Sequence, residues 1–337
     1  MQRSFRFARL LAISLVAVSL CACGETQIVP SPVGPATAAN VFTNATPLKA
    51  PYLKHAGSIV YVGSVGGFID IFTLVKGQYQ KTAQISDTNG PEGIHTDSAA
   101  NMYVADEGLS SYGEAQGDIA IYPKGASYPK REIAPGYNVS DVVPVGVPVG
   151  VNSYMYSTNF GPVETGFGPG SLSYYSPTGY KPLWTKVIAD SFEAWGLVRD
   201  PKTKDVFVSY SIGYFSSGGA EVGRSARGKR PVKPIAAIPS PGGIAEDGSG
   251  NLLAATGGNI IVMTQKGKTL RTITVPGSAY RLAFNHDYSL LYVTNFYNFD
   301  VEIFSYPAAK QVGTIVSSDW SKYSWTDGIA VWPPPKS

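Results

Sequence analysis

The sequence predicts an all-β fold of six four-stranded antiparallel sheets, closed by a C-terminal strand that completes the first sheet. Three observations carry this. A Pro-x-Gly-Ile-x-x-Asp stretch recurs, clearest at Pro91–Asp97, with partial copies at Trp195-Gly196-Leu197, Pro241-Gly242-Gly243-Ile244 and Arg281-Leu282-Ala283. Each copy is followed by an apolar strand, as in Met102-Tyr103-Val104-Ala105-Asp106. The chain ends are unequal: the first unit lacks the strand that opens the others, and the last is followed by a spare one.

The chain has 337 residues and opens with Arg3, Arg6 and Arg9, followed by an apolar run from Leu10 to Leu20. Such a run, about half the length of a membrane-spanning helix, suits an export signal. Leu20-Cys21-Ala22-Cys23 resembles the cleavage site of a bacterial lipoprotein, with Cys23 as the lipid acceptor and Cys21 where a small residue is usual. Residues 1–22 are therefore expected to be removed. Lipid on Cys23 would hold the rest on a membrane surface at about 0.8 kcal/mol per buried CH₂. The expected location is the bacterial cell envelope, facing the periplasm or the exterior. Residues 23–50, rich in Pro, Ala, Thr and Val without a period, read as a tether.

Residues 51–333 carry the repeat. Aligning the opening-strand glycines gives Gly93, Gly146, Gly196, Gly243, Arg281 as a stand-in, and Gly328. Aligning the second strands gives Tyr61, Tyr103, Tyr156, Phe207, Leu253 and Tyr292. Repeats of roughly 40 to 50 residues are the length of propeller blades. Two further strands follow in each unit, for example Gly117–Tyr122 with Lys130–Ile133, and Val301–Tyr306 with Gln311–Val316. One such sheet cannot bury both faces, so neighbours must cover it. Pairing Asp327–Trp332 with Gly57–Val62 leaves no open edge. The reading is a six-bladed β-propeller with a short tail at 334–337.

Composition agrees with this and excludes some partners. The chain has 37 Gly, 25 Pro and 21 Tyr with only 15% charged residues, a mix suited to many short strands and turns. It has 27 basic and 24 acidic residues. Loss of the three N-terminal arginines balances them, which argues against nucleic acid as a partner. The folded part contains no cysteine, so no disulfide can stabilise it. It is expected to be a monomer.

Tyr292-Val293-Thr294-Asn295 and Asn101–Asp106 resemble the repeats of the NHL and YVTN β-propeller families over about residues 57–332. The resemblance implies the fold. It does not fix an activity, because such propellers include scaffolds, lactonases and lyases. In the gluconolactonase-like members a Glu, an Asp and asparagines surround a cation that polarises a lactone carbonyl.

The residues just before the opening-strand glycines should meet at one mouth of a central channel: Glu92, Val145, Trp195, Gly242, Tyr280 and Asp327. Glu92 and Asp327 are the candidates for a divalent cation such as calcium; the plainer reading is of strand-start acids exposed to water. This ring contains no Asn. Asn159, Asn295 and Asp106 end second strands, where such residues more often satisfy turn backbone. His95 occupies a position held elsewhere by small or apolar residues, so it is a channel candidate or a satisfied core histidine. No catalytic residue is assigned, because there is no Gly-x-Ser-x-Gly, Walker loop or His-Glu-x-x-His. The ligand-binding candidates are Glu92, His95, Trp195, Tyr280 and Asp327. The expected role is a non-catalytic binding or scaffold module for a protein or glycan partner. The alternative is a metal-dependent, lactonase-type hydrolase at the channel mouth.

Overall fold

A computed structural model describes residues 46–336 except 88, 109–116, 134–136, 146–152, 163–167, 214–218 and 322–323. The expected export segment 1–22, the lipid acceptor Cys23 and tether residues 24–45 lie outside the described residues. The last tether residues are already fixed to the fold. Thr314 N–H donates to Thr46 O at 3.2 Å, Leu48 N–H to Gly77 O at 3.0 Å, and the Leu48 side chain is buried. A single helical turn, α1 (Ala50–Leu53), follows. Among the described residues no helix is long and apolar enough to cross a membrane.

The strands run in order from β1 (Ile59–Ser64), β2 (Phe68–Val75) and β3 (Gln78–Ser86) to β4 (Pro91–Thr96), β5 (Met102–Asp106), β6 (Asp118–Tyr122) and β7 (Arg131–Ile133). Next come β8 (Tyr137–Val145), β9 (Tyr154–Pro162), β10 (Ser171–Tyr175) and β11 (Trp184–Val187), then β12 (Ser191–Arg199), β13 (Val206–Ile212), β14 (Ala220–Ser225) and β15 (Lys233–Ile238). The chain continues with β16 (Ile244–Glu246), β17 (Leu252–Ala255), β18 (Gly257–Met263) and β19 (Thr269–Phe284). It ends with β20 (Leu290–Asn295), β21 (Asp300–Ser305), β22 (Lys310–Val316) and β23 (Thr326–Trp332).

Strands β4 to β7, β8 to β11 and β12 to β15 each form one four-stranded sheet. Another has the order β23-β1-β2-β3, so the last strand pairs with the first, Val60 opposite Val331 and Tyr61 opposite Ala330. Strands β16 to β22 form a seven-stranded sheet. Its centre is the 16-residue β19, which pairs with β18 through Thr269–Thr274 and with β20 through Leu282–Phe284.

The repeat is legible in this register. Tyr103, Tyr156, Phe207, Leu253, Tyr292 and Tyr61 stand opposite His95, Val143, Val198, Ala245, Ala283 and Ala330. The motif's Asp builds the turn that follows. Asp97 Oδ1 accepts from the backbone N–H of Ala99 and Asn101, both at 2.9 Å, and Asp247 repeats this with Ser249 and Asn251. A carboxylate that satisfies turn N–H groups leaves the next strand free to pair.

Apolar clusters lie between neighbouring sheets. One joins Ile94, Met102 and Val104 to Tyr61, Ile69 and Ala330; another joins Phe207 and Val222 to Leu252 and Met263. A third joins Val60, Phe72 and Val331 to Leu290, Tyr292 and Ile303, so the sheet with the last strand also packs on β20 to β22. At about 25 cal/mol per Å² of apolar surface, this burial holds the sheets together.

Candidate functional site

The opening strands β4, β8, β12, β16, β23 and the second half of β19 come together at the centre, and all contribute to a cavity of about 300 Å³. The motif glycines set this spacing. A Cβ on Gly93 would lie 2.5 Å from Asp141 Oδ1, on Gly243 2.8 Å from Arg281 Cα, and on Gly328 2.7 Å from Glu92 O. Contacts this short exclude a side chain, so glycine permits the approach.

Two of the equivalent positions are not glycine, and their side chains fill the middle. In β8 the register makes Asp141, not Gly146, the counterpart of Gly93: Val143 opposes Tyr156 as His95 opposes Tyr103. The ring residue expected at Val145 is therefore Ser140. In β19 the counterpart is Arg281, which is 4% exposed. Its guanidinium donates to Glu92 Oε1 at 2.6 Å, to Ser140 O and Oγ at 3.1 Å and to Trp195 O at 3.0 Å. It lies 3.9 Å from Asp141 Oδ2, which accepts from Leu197 N–H at 2.8 Å. Burial opposes the charge on Arg281, but Glu92 and Asp141 outweigh it and hold the pKa above the ordinary arginine value.

This ionic plug has different surroundings on its two sides. His95 is on the cavity side, its Nε2 3.2 Å from Asp141 Oδ1. Ile94, Val198, Ala245, Leu282 and Ile329 line the same cavity, and residues 334–336 lie against it. His286 Nδ1 is 2.7 Å from Pro334 O, and Tyr288 Oη donates to Lys336 O at 2.8 Å.

The other side gathers acids and aromatic rings. Tyr280 Oη donates to Glu92 Oε1 at 2.9 Å. The Trp195 and Tyr280 rings meet perpendicularly at 5.7 Å, and Tyr280, Phe296 and Trp325 continue the row at 5.8 and 4.9 Å. Asp327 is 2% exposed, and among the described residues its Oδ1 has no hydrogen-bond partner. Glu92 Oε2 and Glu193 Oε2 are buried without a partner. Burial raises Glu92 and Asp327 well above the carboxylate range, with Asp327 further opposed by Glu92. Burial, then Asp327 and Glu193, push Glu107 up to about 8; burial pushes Glu193 up to about 7. Glu107 and Glu193 escape sequence reading because they lie outside the aligned ring.

The structure thus brings together Glu92, Trp195, Tyr280 and Asp327, and sets His95 across the plug from them. Among the described residues no group of three or more His, Cys, Asp or Glu side chains is arranged to hold a metal ion. The two expected ligands fit one poorly. A guanidinium already occupies Glu92, and a hard cation such as calcium needs six to eight oxygens. Asn159 and Asn295 are fully buried and serve the sheets: Asn159 Nδ2 donates to Ser171 Oγ at 2.9 Å, and Asn295 Oδ1 accepts from Ser278 N–H at 2.9 Å. Arg224, Arg227, Lys229, Arg230 and Lys233 form a basic stretch in which Arg224 Nε donates to Asp205 Oδ2 at 2.7 Å. The aromatic-rich region forms an outer stack, Tyr154 on Tyr174 at 5.6 Å and Tyr174 on Trp184 at 5.5 Å. Of the loop aromatics Phe160, Phe167, Tyr214 and Phe215, which the sequence offers as an exposed patch, Phe160 is buried and the other three lie outside the described residues.

No family model matches the chain, and no curated protein matches it by sequence. Solved structures do resemble it. A chain in a nidogen/laminin complex is 13% identical with a TM-score of 0.62, covering 81% of this chain and 97% of that one. Hydrazine synthase from Kuenenia stuttgartiensis is 15% identical with a TM-score of 0.55, over 74% and 81%. A protein of unknown function from Bacteroides caccae is 12% identical with a TM-score of 0.55, over 82% and 98%. At these identities the likeness concerns the fold alone. It is β-propeller-like.

Proposed function

We propose that this chain is a non-catalytic recognition module, an envelope-anchored β-propeller that binds its ligand or partner at the acidic, aromatic mouth. The carrying observation is the state of the central side chains. Two groups suited to proton transfer are held by others, Glu92 by Arg281 and Tyr280, and His95 by Asp141. Oδ1 of the buried Asp327 carboxyl has no such partner among the described residues, so it is available to a ligand.

We further infer six blades, with β19 shared between the fifth and sixth, and closure by β23 against β1. The apolar clusters between successive sheets, including that between β20–β22 and the β1 sheet, support this count. Kinship with NHL and YVTN repeats rests on the sequence pattern, and the envelope location on Arg3 to Cys23. A protein or glycan partner suits a module presented on a tether.

The rival is a lactonase-type hydrolase using a divalent cation at Glu92 and Asp327. The unpartnered oxygens of these residues favour it, and the guanidinium on Glu92 opposes it. A panel of lactones assayed with the purified chain and added calcium separates the two. The recognition reading expects no turnover; turnover lost in Glu92→Ala would overturn it.

A further inference from the structure

We propose that the acidic mouth binds an organic ammonium group, of a free amine or of a lysine side chain; this rests on the recognition reading above and names its ligand class. The first ground is a surplus of acidic groups over cations. Glu107 lies within electrostatic reach of Glu92, Asp327 and Glu193, Asp327 within reach of Glu92, and Arg281 is the cation whose field reaches Glu92, Glu107 and Asp327. Only Glu92 among the four is paired with it.

The second ground is independent of charge: one carboxyl oxygen is kept out of water with nothing to bond among the described residues. Asp327 is 2% exposed, and its Oδ1 has no hydrogen-bond partner among the described residues. A buried acceptor left in this state costs about 1 to 3 kcal/mol or more. A donor entering from the rim removes that cost.

The third ground is the wall. Trp195, Tyr280, Phe296 and Trp325 are each half-buried and form a row of rings that meets the acids where Tyr280 bonds Glu92. An aromatic face attracts a cation within about 6 Å. Arg281 already uses this chemistry, its guanidinium 5.3 Å from the Tyr280 ring centre. Ring faces and one or two carboxylates can replace the hydration of an alkylammonium. They cannot supply the oxygen cage of calcium.

Titration calorimetry on the full chain, with tetramethylammonium, cadaverine, a lysine-containing tripeptide, calcium and glucose as separate probes, tests the assignment. An ammonium probe should bind, at least tenfold more weakly to Trp195→Ala and to Asp327→Asn, with unfolding midpoints recorded for both variants. Preference for the tripeptide points to a protein source, and preference for cadaverine or tetramethylammonium to a free one; both support the assignment. Should Asp327→Asn not fold, pH supplies the second readout. A bound cation displaces protons from Glu107, which lies within electrostatic reach of Glu92, Asp327, Glu193 and Arg281. Affinity should therefore rise at least threefold from pH 6 to pH 8. No binding by any ammonium probe, or equal binding to both variants when both fold, overturns the inference. Glucose or calcium binding in place of the amines also overturns it and leaves recognition standing, whereas lactone turnover would remove the recognition reading itself.

Discussion

Arg281 reaches from β19 to acceptors on β4, β8 and β12, so removing it strips several hydrogen bonds at once. Breaking a buried pair from one side costs about 3 to 5 kcal/mol, because the other charge is left alone. Arg281→Met should lower stability by that much in urea unfolding. The double change Glu92→Gln with Arg281→Met should recover most of the loss, since neither partner is then a stranded ion. A double mutant no better than the single one would show that the guanidinium acts by packing. The acids add a pH dependence. Glu107 titrates near 8 in the folded chain against an ordinary 4.5, and Glu193 near 7. Between those limits the folded state holds more protons than the unfolded one, so stability falls as pH rises from about 4.5 to 8. The urea midpoint should be lower at pH 8 than at pH 5, and Glu107→Gln should flatten the slope; a midpoint that climbs over this range would contradict the assignment. Glu92, Trp195, Tyr280 and Asp327 were legible beforehand because a regular repeat aligns them. Asp141 was not. Val143-Pro144-Val145-Gly146-Val147-Pro148-Val149-Gly150 offers several overlapping frames for the motif, and bulges between Tyr137 and Asp141 shift the register.

At the scale of elements, the turn after each opening strand is the recurring unit of construction. Asp97 accepts from two backbone N–H groups, from Asn101 Nδ2 at 2.8 Å and from Tyr103 Oη at 3.2 Å. Asp97→Ala orphans these donors in a buried turn, so it should cost about 1 to 3 kcal/mol. The same loss is expected for Asp247→Ala, where Ser249, Asn251 and Tyr306 are the donors. Urea unfolding of the two variants tests the equivalence, and a change within 0.5 kcal/mol of zero, the range of ordinary surface substitutions, would deny it. Strand positions were readable because alternation and turn residues agree, as in β6, β18 and β21. The continuity of β19 was not, because Pro276-Gly277 reads locally as a break. Gly277 takes φ of +96°, and a Cβ there would lie 2.5 Å from Asn295 Oδ1, so glycine lets the chain turn toward β20 without leaving the sheet.

For the whole molecule, closure makes a prediction about where the chain can be cut. If the ring is held by β23 against β1 and by apolar packing between neighbouring sheets, covalent order around it matters little. Trp332 and Ile59 are already partners across that seam. A permuted chain can join Trp332 to Gly57 by a short Gly/Ser linker and open between Ile238 and Ile244. It keeps β23 to β3, β4 to β7, β8 to β11 and β12 to β15 each as one sheet, with β16 to β22 moved to the start. The packing of Phe207 and Val222 on Leu252 and Met263 then has to re-form between separated ends, as Val60 and Val331 do with Tyr292 and Ile303 in the parent. The permuted chain should show the parental far-ultraviolet dichroism and one cooperative urea transition within about 2 kcal/mol of the parent, the span of a moderate single substitution. An open stack of sheets should respond differently, because the permutation turns an internal sheet boundary into a bare end while the linker joins two faces that never met. Aggregation of the permuted chain, or two separate transitions, under conditions where the parent folds would therefore count against a closed ring and against the central site built from it.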